Sequence, residues 1–308
     1  MKVALIGGTG FVGGYLVDAL LKAGHEPSLL VRAGSEAKVR QASRCRLSEG
    51  DLDEPEALDA AAEGCDAVIY NVGLLREYPR QGITFEQAHS TGVQRTIRSC
   101  QAAGVRRFIL MSANGVRSDG TPYQETKRRG ETALIDSSLD YTIFRPSVIF
   151  GDPRGAMEIA TQLYQDLVRP PLPAVAFCTG VFPGGAPVLM SPVHVEDVAE
   201  AFVNALEAPQ THGKIISLGG PEILSWRRMV QCIASAAGRH KLIVPMPIGV
   251  MQVAATFFDW LPFFPATRDQ LRMLAEGNTA PPDALQQLIG REARPFSAEN
   301  LQYLGQAR

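Results

Sequence analysis

The chain has 308 residues, of which 45% are hydrophobic and 20% charged, and its 30 Lys and Arg against 32 Asp and Glu give a formal net charge of -2. This composition is typical of a folded globular protein and excludes collagen, a coiled coil and a disordered chain. Because the charge is nearly balanced, no broad basic surface is expected and nucleic acid is not predicted as a partner. No stretch approaches the roughly 20 apolar residues of a membrane-spanning helix.

The cysteines are odd in number and scattered, without a Cys-x-x-Cys pair or a nearby histidine at metal-ligand spacing. They are Cys45, Cys65, Cys100, Cys178 and Cys232. This pattern predicts neither a disulfide framework nor a structural zinc site, and no metal is expected. Because no disulfides are predicted, we interpret the chain as a protein of a reducing compartment.

Short apolar runs alternate with helical patterns through the first half of the chain. The predicted strands are Val3–Ile6, Ser28–Val31, Ala67–Tyr70, Phe108–Met111 and Tyr141–Phe144. The predicted helices are Phe11–Ala23, Pro55–Ala62, Phe85–Ala103 and Tyr123–Ser137. Strands that are apolar on both faces suit a parallel sheet with helices on both sides. The alternation predicts an α/β fold, a Rossmann-like doubly wound parallel sheet.

After residue 151 the alternation becomes irregular. Pro170–Gly185 is rich in proline and glycine and predicts an irregular excursion from the sheet. Regular structure is predicted again as a helix at Val198–Leu206, a strand at Lys214–Leu218 and a helix at Trp226–Ala237. We therefore expect a nucleotide-binding domain over residues 1–240, with the excursion at 152–190, and a small C-terminal substrate or partner lobe over residues 241–308.

Glycines mark the junction between the first predicted strand and the first predicted helix. Residues 7–13 (GGTGFVG) fit the spacing Gly7, Gly10, Gly13 and also the spacing Gly8, Gly10, Gly13. In both, glycine permits a tight turn, lets backbone N–H groups approach a pyrophosphate and lets the helix pack close to the strand. The positive end of the helix dipole would face the anion. The predicted cofactor contacts here are Gly7, Thr9, Gly10, Phe11, Val12 and Gly13.

The residue after the second strand bears on which nicotinamide cofactor is bound. NAD-selective sites usually place Asp or Glu about twenty residues past the glycines, where it accepts from the ribose 2′-OH. This chain has Arg32 at that place, and a guanidinium can bind a 2′-phosphate through two hydrogen bonds. We predict a preference for NADP(H). NAD(H) is the alternative if Arg32 is only a solvated charge at the end of a strand.

Two further segments follow predicted strands at the same edge of the sheet. Asp51 and Leu52 follow a third strand, which is expected before Gly50 but is not delimited by the sequence and makes Ala67–Tyr70 the fourth. A carboxylate there could accept from an adenine amino group. Asn71, Val72 and Gly73 follow the fourth strand, where a glycine lets the chain pass close to the cofactor. We include all five residues as candidate cofactor contacts, although both segments also fit ordinary turns.

A tyrosine and a lysine lie four residues apart at the start of the fourth predicted helix. The spacing places Tyr123 and Lys127 on one helix face. An ammonium beside a phenol lowers the phenol pKa, which suits proton exchange at neutral pH. With Ser112 at the end of the fifth strand they form a candidate catalytic set, in which Lys127 also binds the nicotinamide ribose. A surface pair on a helix is the alternative.

These residues together resemble the short-chain dehydrogenase/reductase family in its extended and atypical branches. Four more strings are similar, in order and spacing, to the nucleotide-binding accessory subunit of respiratory complex I and its bacterial relatives. They are Phe108–Ala113, Pro192–Ala199, Leu218–Glu222 and Thr267–Leu271. The resemblance implies that Arg145-Pro146-Ser147 borders the nicotinamide, so that Pro146 and Ser147 join the cofactor contacts.

The resemblance implies an oxidoreductase that acts on a carbonyl or alcohol of an apolar substrate, linked to quinone or respiratory-chain metabolism, with Ser112 on the substrate oxygen. The alternative is a non-catalytic, NADPH-loaded accessory or assembly factor of a membrane respiratory complex. A third interpretation is a regulator that senses NADP(H). A cytoplasmic location is expected, with peripheral attachment to the inner membrane as the alternative.

The segment 248–264 is rich in apolar and aromatic residues but is interrupted by Gln252, Thr256 and Asp259. It is too short and too polar to span a bilayer. Two interpretations stay open. The segment either caps the substrate cleft as core, or forms an exposed patch that contacts a membrane surface or a membrane complex.

Overall fold

A computed structural model of the chain describes residues 1–182, 184–258 and 267–306. The chain divides into two compact units. The first unit takes in Met1–Pro146, Val195–Ser217 and Ala284–Gly290, and the second takes in the described residues of Ser147–His194, Leu218–Asp283 and Arg291–Arg308. The sequence predicted one boundary near residue 240. In the structure the segments of the two units alternate along the chain, because the chain returns to the first unit at Val195–Ser217 and again at Ala284–Gly290.

The strands are β1 (Lys2–Ile6), β2 (Glu26–Val31), β3 (Arg46–Glu49), β4 (Ala67–Tyr70), β5 (Arg107–Met111), β6 (Asp140–Pro146), β7 (Ile149–Phe150), β8 (Ala174–Cys178), β9 (Leu189–Met190), β10 (Val193–His194), β11 (Lys214–Leu218), β12 (Leu224–Ser225) and β13 (Ile243–Pro247). The helices are α1 (Phe11–Lys22), α2 (Pro55–Ala62), α3 (Gly92–Ala103), α4 (Pro122–Ile135), α5 (Ile159–Leu163), α6 (Val195–Leu206), α7 (Trp226–Ala236), α8 (Ile248–Phe258), α9 (Arg268–Glu276), α10 (Asp283–Ile289) and α11 (Tyr303–Gln306). A π-helical turn, Glu86–Thr91, leads directly into α3.

The central sheet has the strand order β11-β6-β5-β4-β1-β2-β3. Strands β1 to β6 pair in parallel, so their carboxyl ends lie at one edge. The chain moves outward from β1 through β2 and β3, and then returns to the other side of β1 with β4. This reversal is the topological switch point of a doubly wound sheet. The predicted Rossmann-like α/β fold is confirmed.

Strand β1 shows how the sheet is covered on both faces. Ala4 and Ile6 pack in one core with residues of α2, α3 and α4. Val3 and Leu5, which point the other way, are also fully buried, and α1 and α6 pack together. A run that is apolar on both faces therefore becomes a central strand, as its composition predicted.

The Pro-rich segment predicted to be irregular contains a strand. Five residues, Ala174–Cys178, form β8 and pair in parallel with Ile243–Pro247 of β13. No strand was predicted at Ile243–Pro247 either, so β13 is a second strand that the sequence analysis missed. The pairing partners are about seventy residues apart, so neither strand carries a local signal strong enough to outweigh the flanking prolines.

Of the segment 248–264, residues 248–258 form α8 and residues 259–264 lie outside the described residues. On α8, Ile248 and Ala255 are buried, whereas Val250 and Val253 are exposed. No helix in the described part of the chain has the length and apolar character needed to cross a bilayer.

Candidate functional site

A crevice of about 490 Å³ lies at the carboxyl ends of β1 to β4. Open α/β sheets bind ligands at this edge, beside the switch point. The crevice brings together nine of the predicted cofactor contacts, which are Gly7, Thr9, Gly10, Arg32, Asp51, Leu52, Asn71, Val72 and Gly73. They come from four separate strand ends, and the parallel sheet is what makes them neighbours.

The glycines of the first turn have different roles. Gly7 has φ of +99°, and a Cβ there would lie 2.8 Å from the Asn71 carbonyl oxygen. At Gly13 a Cβ would lie 2.2 Å from the Gly7 oxygen, so this glycine permits the close packing of helix on strand. At Gly10 the nearest atom would be 3.8 Å away. Gly10 therefore keeps open the space through which a ligand can approach the backbone.

Helix α1 begins at this turn without a side-chain cap. Gly10 is the N-cap residue, and it supplies no side-chain acceptor. Phe11, Val12 and Gly13 form the first turn, whose N–H groups need acceptors from outside the helix. A pyrophosphate supplies anionic acceptors of this kind. The open Gly10, the uncapped helix and the crevice together fit a dinucleotide.

Arg32 lies at the rim of the crevice and is exposed. Among the described residues its side chain has no hydrogen-bonding or ion-pairing partner. Across the crevice the Leu52 N–H donates to Asp51 Oδ1 at 2.7 Å, and Arg95 Nη1 donates to the Leu52 carbonyl at 3.0 Å. Arg95 is thus a second cation lining the crevice, on α3, where the sequence showed only an ordinary polar helix position.

Tyr123 and Lys127 lie on the first two turns of α4, as their spacing predicted. The Lys127 ammonium lies 5.7 Å from the centre of the Tyr123 ring and donates to the Met111 carbonyl at 3.3 Å. Burial lowers the pKa of Lys127 to about 8, although the nearby Glu131 carboxylate opposes that change. Burial also raises the pKa of Tyr123 above its ordinary value, in contrast to the lowering expected from Lys127.

Ser112 joins a buried ion cluster centred on Glu131. Its hydroxyl donates to Glu131 Oε1 at 2.6 Å, and Arg145 donates through Nε at 2.7 Å and through Nη2 at 2.5 Å. Arg128 adds a contact of 3.1 Å. Glu131 has no exposed surface. The Ser112 proton is therefore committed to a carboxylate, and Ser112 Oγ can only accept from any further group.

His89 connects the crevice to the catalytic candidates. The Leu74 N–H, at the crevice wall, donates to His89 Nε2 at 3.1 Å. His89 Nδ1 lies 3.2 Å from Thr126 Oγ1, whose proton goes to the Pro122 carbonyl at 2.8 Å, so Nδ1 must be the donor. The ring is neutral: burial, and secondarily Lys127, lowers its pKa to about 2. Its edge-on contact with the Tyr123 ring, 5.2 Å between centres, fixes the tyrosine.

A small cavity of about 10 Å³ lies between these groups, with room for about one water. Its lining includes Val72 from the crevice together with His89, Ser112 and Lys127. Ser112 and Lys127 thus line a cavity that adjoins the crevice at Val72, and Tyr123 contacts His89 and Lys127 of that lining.

Pro146 and Ser147 stand at the division between the two units. Pro146 is the last residue of β6, and its carbonyl accepts from the Asn114 N–H at 3.0 Å. Ser147 belongs to the second unit, where its hydroxyl donates to the Asn278 carbonyl at 2.7 Å.

Sequence reasoning missed Glu131, His89 and Arg95. Glu131 follows Lys127 at the i, i+4 spacing, which was the one available signal, and it was overlooked because that spacing is common on solvated helix faces. His89 lies within a predicted helix, and nothing local shows that its ring is buried.

Comparison with known proteins agrees with this geometry. Residues 7–168 match the protein family described as NAD(P)H-binding. Ceramide reductase of Caulobacter vibrioides (strain NA1000 / CB15N) is 29% identical over 84% of this chain and 78% of that protein. The mitochondrial NADH dehydrogenase (ubiquinone) 1 alpha subcomplex subunit 9 of Mus musculus is 26% identical over 99% of this chain and 80% of that protein. The structure of NADPH-dependent quinone oxidoreductase QOR2 of Escherichia coli, complexed with NADPH, has a TM-score of 0.73 at 17% identity over 99% of each chain, which shows a shared fold.

Proposed function

This chain belongs to the NAD(P)H-binding family, among proteins of the short-chain dehydrogenase/reductase type, and we propose that it is an NADP(H)-dependent oxidoreductase acting on a carbonyl or alcohol of an apolar substrate. The observation that carries the proposal is the position of Lys127, 5.7 Å from the Tyr123 ring, in a small cavity that shares Val72 with the crevice. Arg32 lines the same crevice and has no partner among the described residues. The relative named ceramide reductase supports a lipid-like substrate.

The residues of the crevice would hold the cofactor in parts. The N–H groups at the start of α1, with Gly10 open beside them, would receive the pyrophosphate, and Arg32 would receive the 2′-phosphate. Asp51, which lines the same crevice, would accept from the adenine, and Lys127 would donate to the nicotinamide ribose. When bound, the nicotinamide supplies or accepts the hydride.

Tyr123 would exchange the proton that accompanies hydride transfer. In the reducing direction the Tyr123 O–H bond breaks, the proton passes to the carbonyl oxygen as the carbon gains hydride, and solvent then reprotonates the phenolate. Because burial raises the Tyr123 pKa, the phenol is protonated at neutral pH and suited to act as the acid. The Lys127 ammonium stabilises the phenolate while it exists. A protonated phenol is the form that can donate to a carbonyl oxygen, as reduction requires.

Cofactor preference is tested by titrating the purified protein with NADPH and NADH. We expect NADPH to bind more tightly, and Arg32→Ala to weaken NADPH binding by roughly 10- to 100-fold, as for a lost charge-assisted hydrogen bond, with little change for NADH. Arg106→Ala is the matched control, since Arg106 precedes β5 at the opposite edge of the sheet and its side chain is 77% exposed. Equal affinity for both cofactors would remove Arg32 from this role.

Turnover is tested by NADPH consumption with a panel of long-chain ketones and quinones. Tyr123→Phe should abolish consumption and leave NADPH affinity unchanged, whereas Tyr78→Phe, at a half-exposed tyrosine, should keep full activity. Full activity in Tyr123→Phe would show that another group carries the proton.

One observation favours a second function, that of a non-catalytic NADPH-loaded accessory protein of a membrane complex. The Ser112 proton is committed to Glu131, so it is not available to a substrate carbonyl, and the mouse relative is a subunit of NADH dehydrogenase. This function predicts that nucleotide co-purifies with the protein and raises its thermal midpoint. It also predicts no NADPH consumption with any member of the panel.

A further inference from the structure

Two long stretches of the chain, which lie in the second unit except for Val195, have no acidic residues. Residues 167–195 and 223–258 include no Asp or Glu, yet they include Arg169, Arg227, Arg228, Arg239 and Lys241. The whole chain has a net charge of -2. The two stretches therefore carry five Arg and Lys and no carboxylate, a local excess of positive charge that the balanced overall composition conceals.

The parallel pair β8 and β13 gathers part of that charge at one end. The segments that lead into these strands, 169–173 and 239–242, lie side by side, and residues 170–173 and 239–242 line a concavity of about 450 Å³. Arg239 Nη1 donates to the Arg169 carbonyl at 3.0 Å, and the Lys241 ammonium donates to the Pro170 carbonyl. We call this the basic loop surface, residues 169–173 and 239–242.

Two leucines project from the basic loop surface. Leu172 is 71% exposed and Leu242 is 68% exposed. Arg169, Arg239 and His240 beside them are exposed as well, and Asp166 is the acidic residue nearest in sequence. Large apolar side chains surrounded by cations fit an interface that is apolar inside and anionic at its surface.

We propose that the basic loop surface binds the surface of an anionic phospholipid bilayer. Leu172 and Leu242 enter the boundary of the acyl chains, and Arg169, Arg239 and Lys241 face the lipid phosphates. The charge complementarity selects this occupant, since an uncharged partner would gain nothing from the cations and a nucleic acid would gain nothing from the leucines. The residues that line the concavity belong neither to α8 nor to the lining of the cofactor crevice.

The test is co-sedimentation of the full chain with vesicles of phosphatidylcholine, alone and mixed with phosphatidylglycerol. We expect binding to the mixed vesicles only, decreasing with salt. The double variant Leu172→Asn, Leu242→Asn should reduce binding by at least about tenfold. Arg169→Gln should reduce it about fivefold, the contribution of one cation near an anionic leaflet. Ile223→Asn, at a residue of the same unit that is 62% exposed, is the matched control and should bind as the parent does.

Several outcomes would overturn the proposal. Equal binding to both kinds of vesicle, or no binding to either, would do so. An equal loss of binding in the Ile223→Asn control would do so too. Full competition by millimolar inorganic phosphate would indicate a site for a soluble anion instead. Circular dichroism monitors folding of each variant. Arg169→Gln keeps the test decisive if the leucine variant is unstable. The Arg169 side chain is exposed, and within the described part of the chain only its backbone is hydrogen-bonded. NADPH affinity should stay unchanged in all variants, so failure here is distinguishable from failure of the proposed oxidoreductase function.

Discussion

Replacement of Glu131 by glutamine is the most direct test of the buried ion cluster. Glu131→Gln removes one charge and turns one acceptor oxygen into an NH₂ donor. In the parent, both carboxylate oxygens accept two hydrogen bonds each, from Ser112, Arg145 and Arg128. The variant therefore places a donor against the Arg145 or Arg128 guanidinium, and leaves those cations without their counter-ion.

The size of the effect follows from burial. Breaking a buried ion pair by removing one partner costs about 3–5 kcal/mol, mostly from the cation left behind. The Arg145 and Arg128 side chains are 21% and 35% exposed, so water can relieve part of the loss. We accordingly expect the lower end, a decrease of about 3 kcal/mol in the free energy of unfolding.

The assay is urea unfolding of the parent and variant at neutral pH. Glu86→Gln is the matched control: the Arg129–Glu86 pair has the same 2.5 Å N–O distance as Arg145–Glu131, but its side chains are 58% and 46% exposed. An exposed pair contributes less than about 1 kcal/mol. If both variants lose the same stability, or if Glu131→Gln loses less than about 1 kcal/mol, burial is not what makes the cluster strong.

Three further predictions concern the turn, the buried histidine and the lysine. Gly13→Ala should lower the thermal midpoint of unfolding, since its Cβ would lie 2.2 Å from a backbone oxygen. Gly10→Ala, whose Cβ would lie 3.8 Å from the nearest atom, should keep the thermal midpoint but lose NADPH affinity, because the methyl group occupies the space of the ligand. The pKa of His89 is about 2 in the folded state and 6.5 in the unfolded state, so the stability that the neutral buried ring contributes is complete above pH 6.5 and is lost as pH falls. The stability advantage of the parent over His89→Gln should therefore shrink by about 2 kcal/mol between pH 7 and pH 5. A constant difference would contradict a neutral buried ring. Reductase activity should decline as pH rises through about 8, where Lys127 loses its proton. The pH midpoint of this decline should be lower in Glu131→Gln, because the Glu131 carboxylate raises the Lys127 pKa. An unchanged pH–rate profile in this variant would exclude Lys127 as the titrating group.

The parts of the structure that could be predicted from the sequence are those with local signals. The run Val3–Ile6 is apolar on both faces and becomes a central strand. The polar strand β3, Arg46–Glu49, was not delimited because it lies at the edge of the sheet and is largely exposed. The alternation of apolar and polar residues that marks a strand in a sequence is weak when neither face of the strand is buried.

The site follows the same rule. The glycine turn and the Tyr123–Lys127 pair are each contained within a few residues, so their spacing alone places them correctly. Glu131 meets its partner Ser112 from 19 residues away, and His89 meets Thr126 from 37 residues away. Such contacts depend on how strands and helices pack, and no local pattern encodes them.

The interleaving of the two units limits how this protein can be divided. A fragment that ended at residue 240 would retain β8 and lose its pairing partner β13, and so would expose the backbone groups of a strand edge that pairs in the full chain. It would also lose Ala284–Gly290, which belongs to the first unit. Neither unit is a contiguous module that could be exchanged by recombination at a single point. Changes in the second unit can instead accumulate within its separate segments while the order of strands in the central sheet is kept.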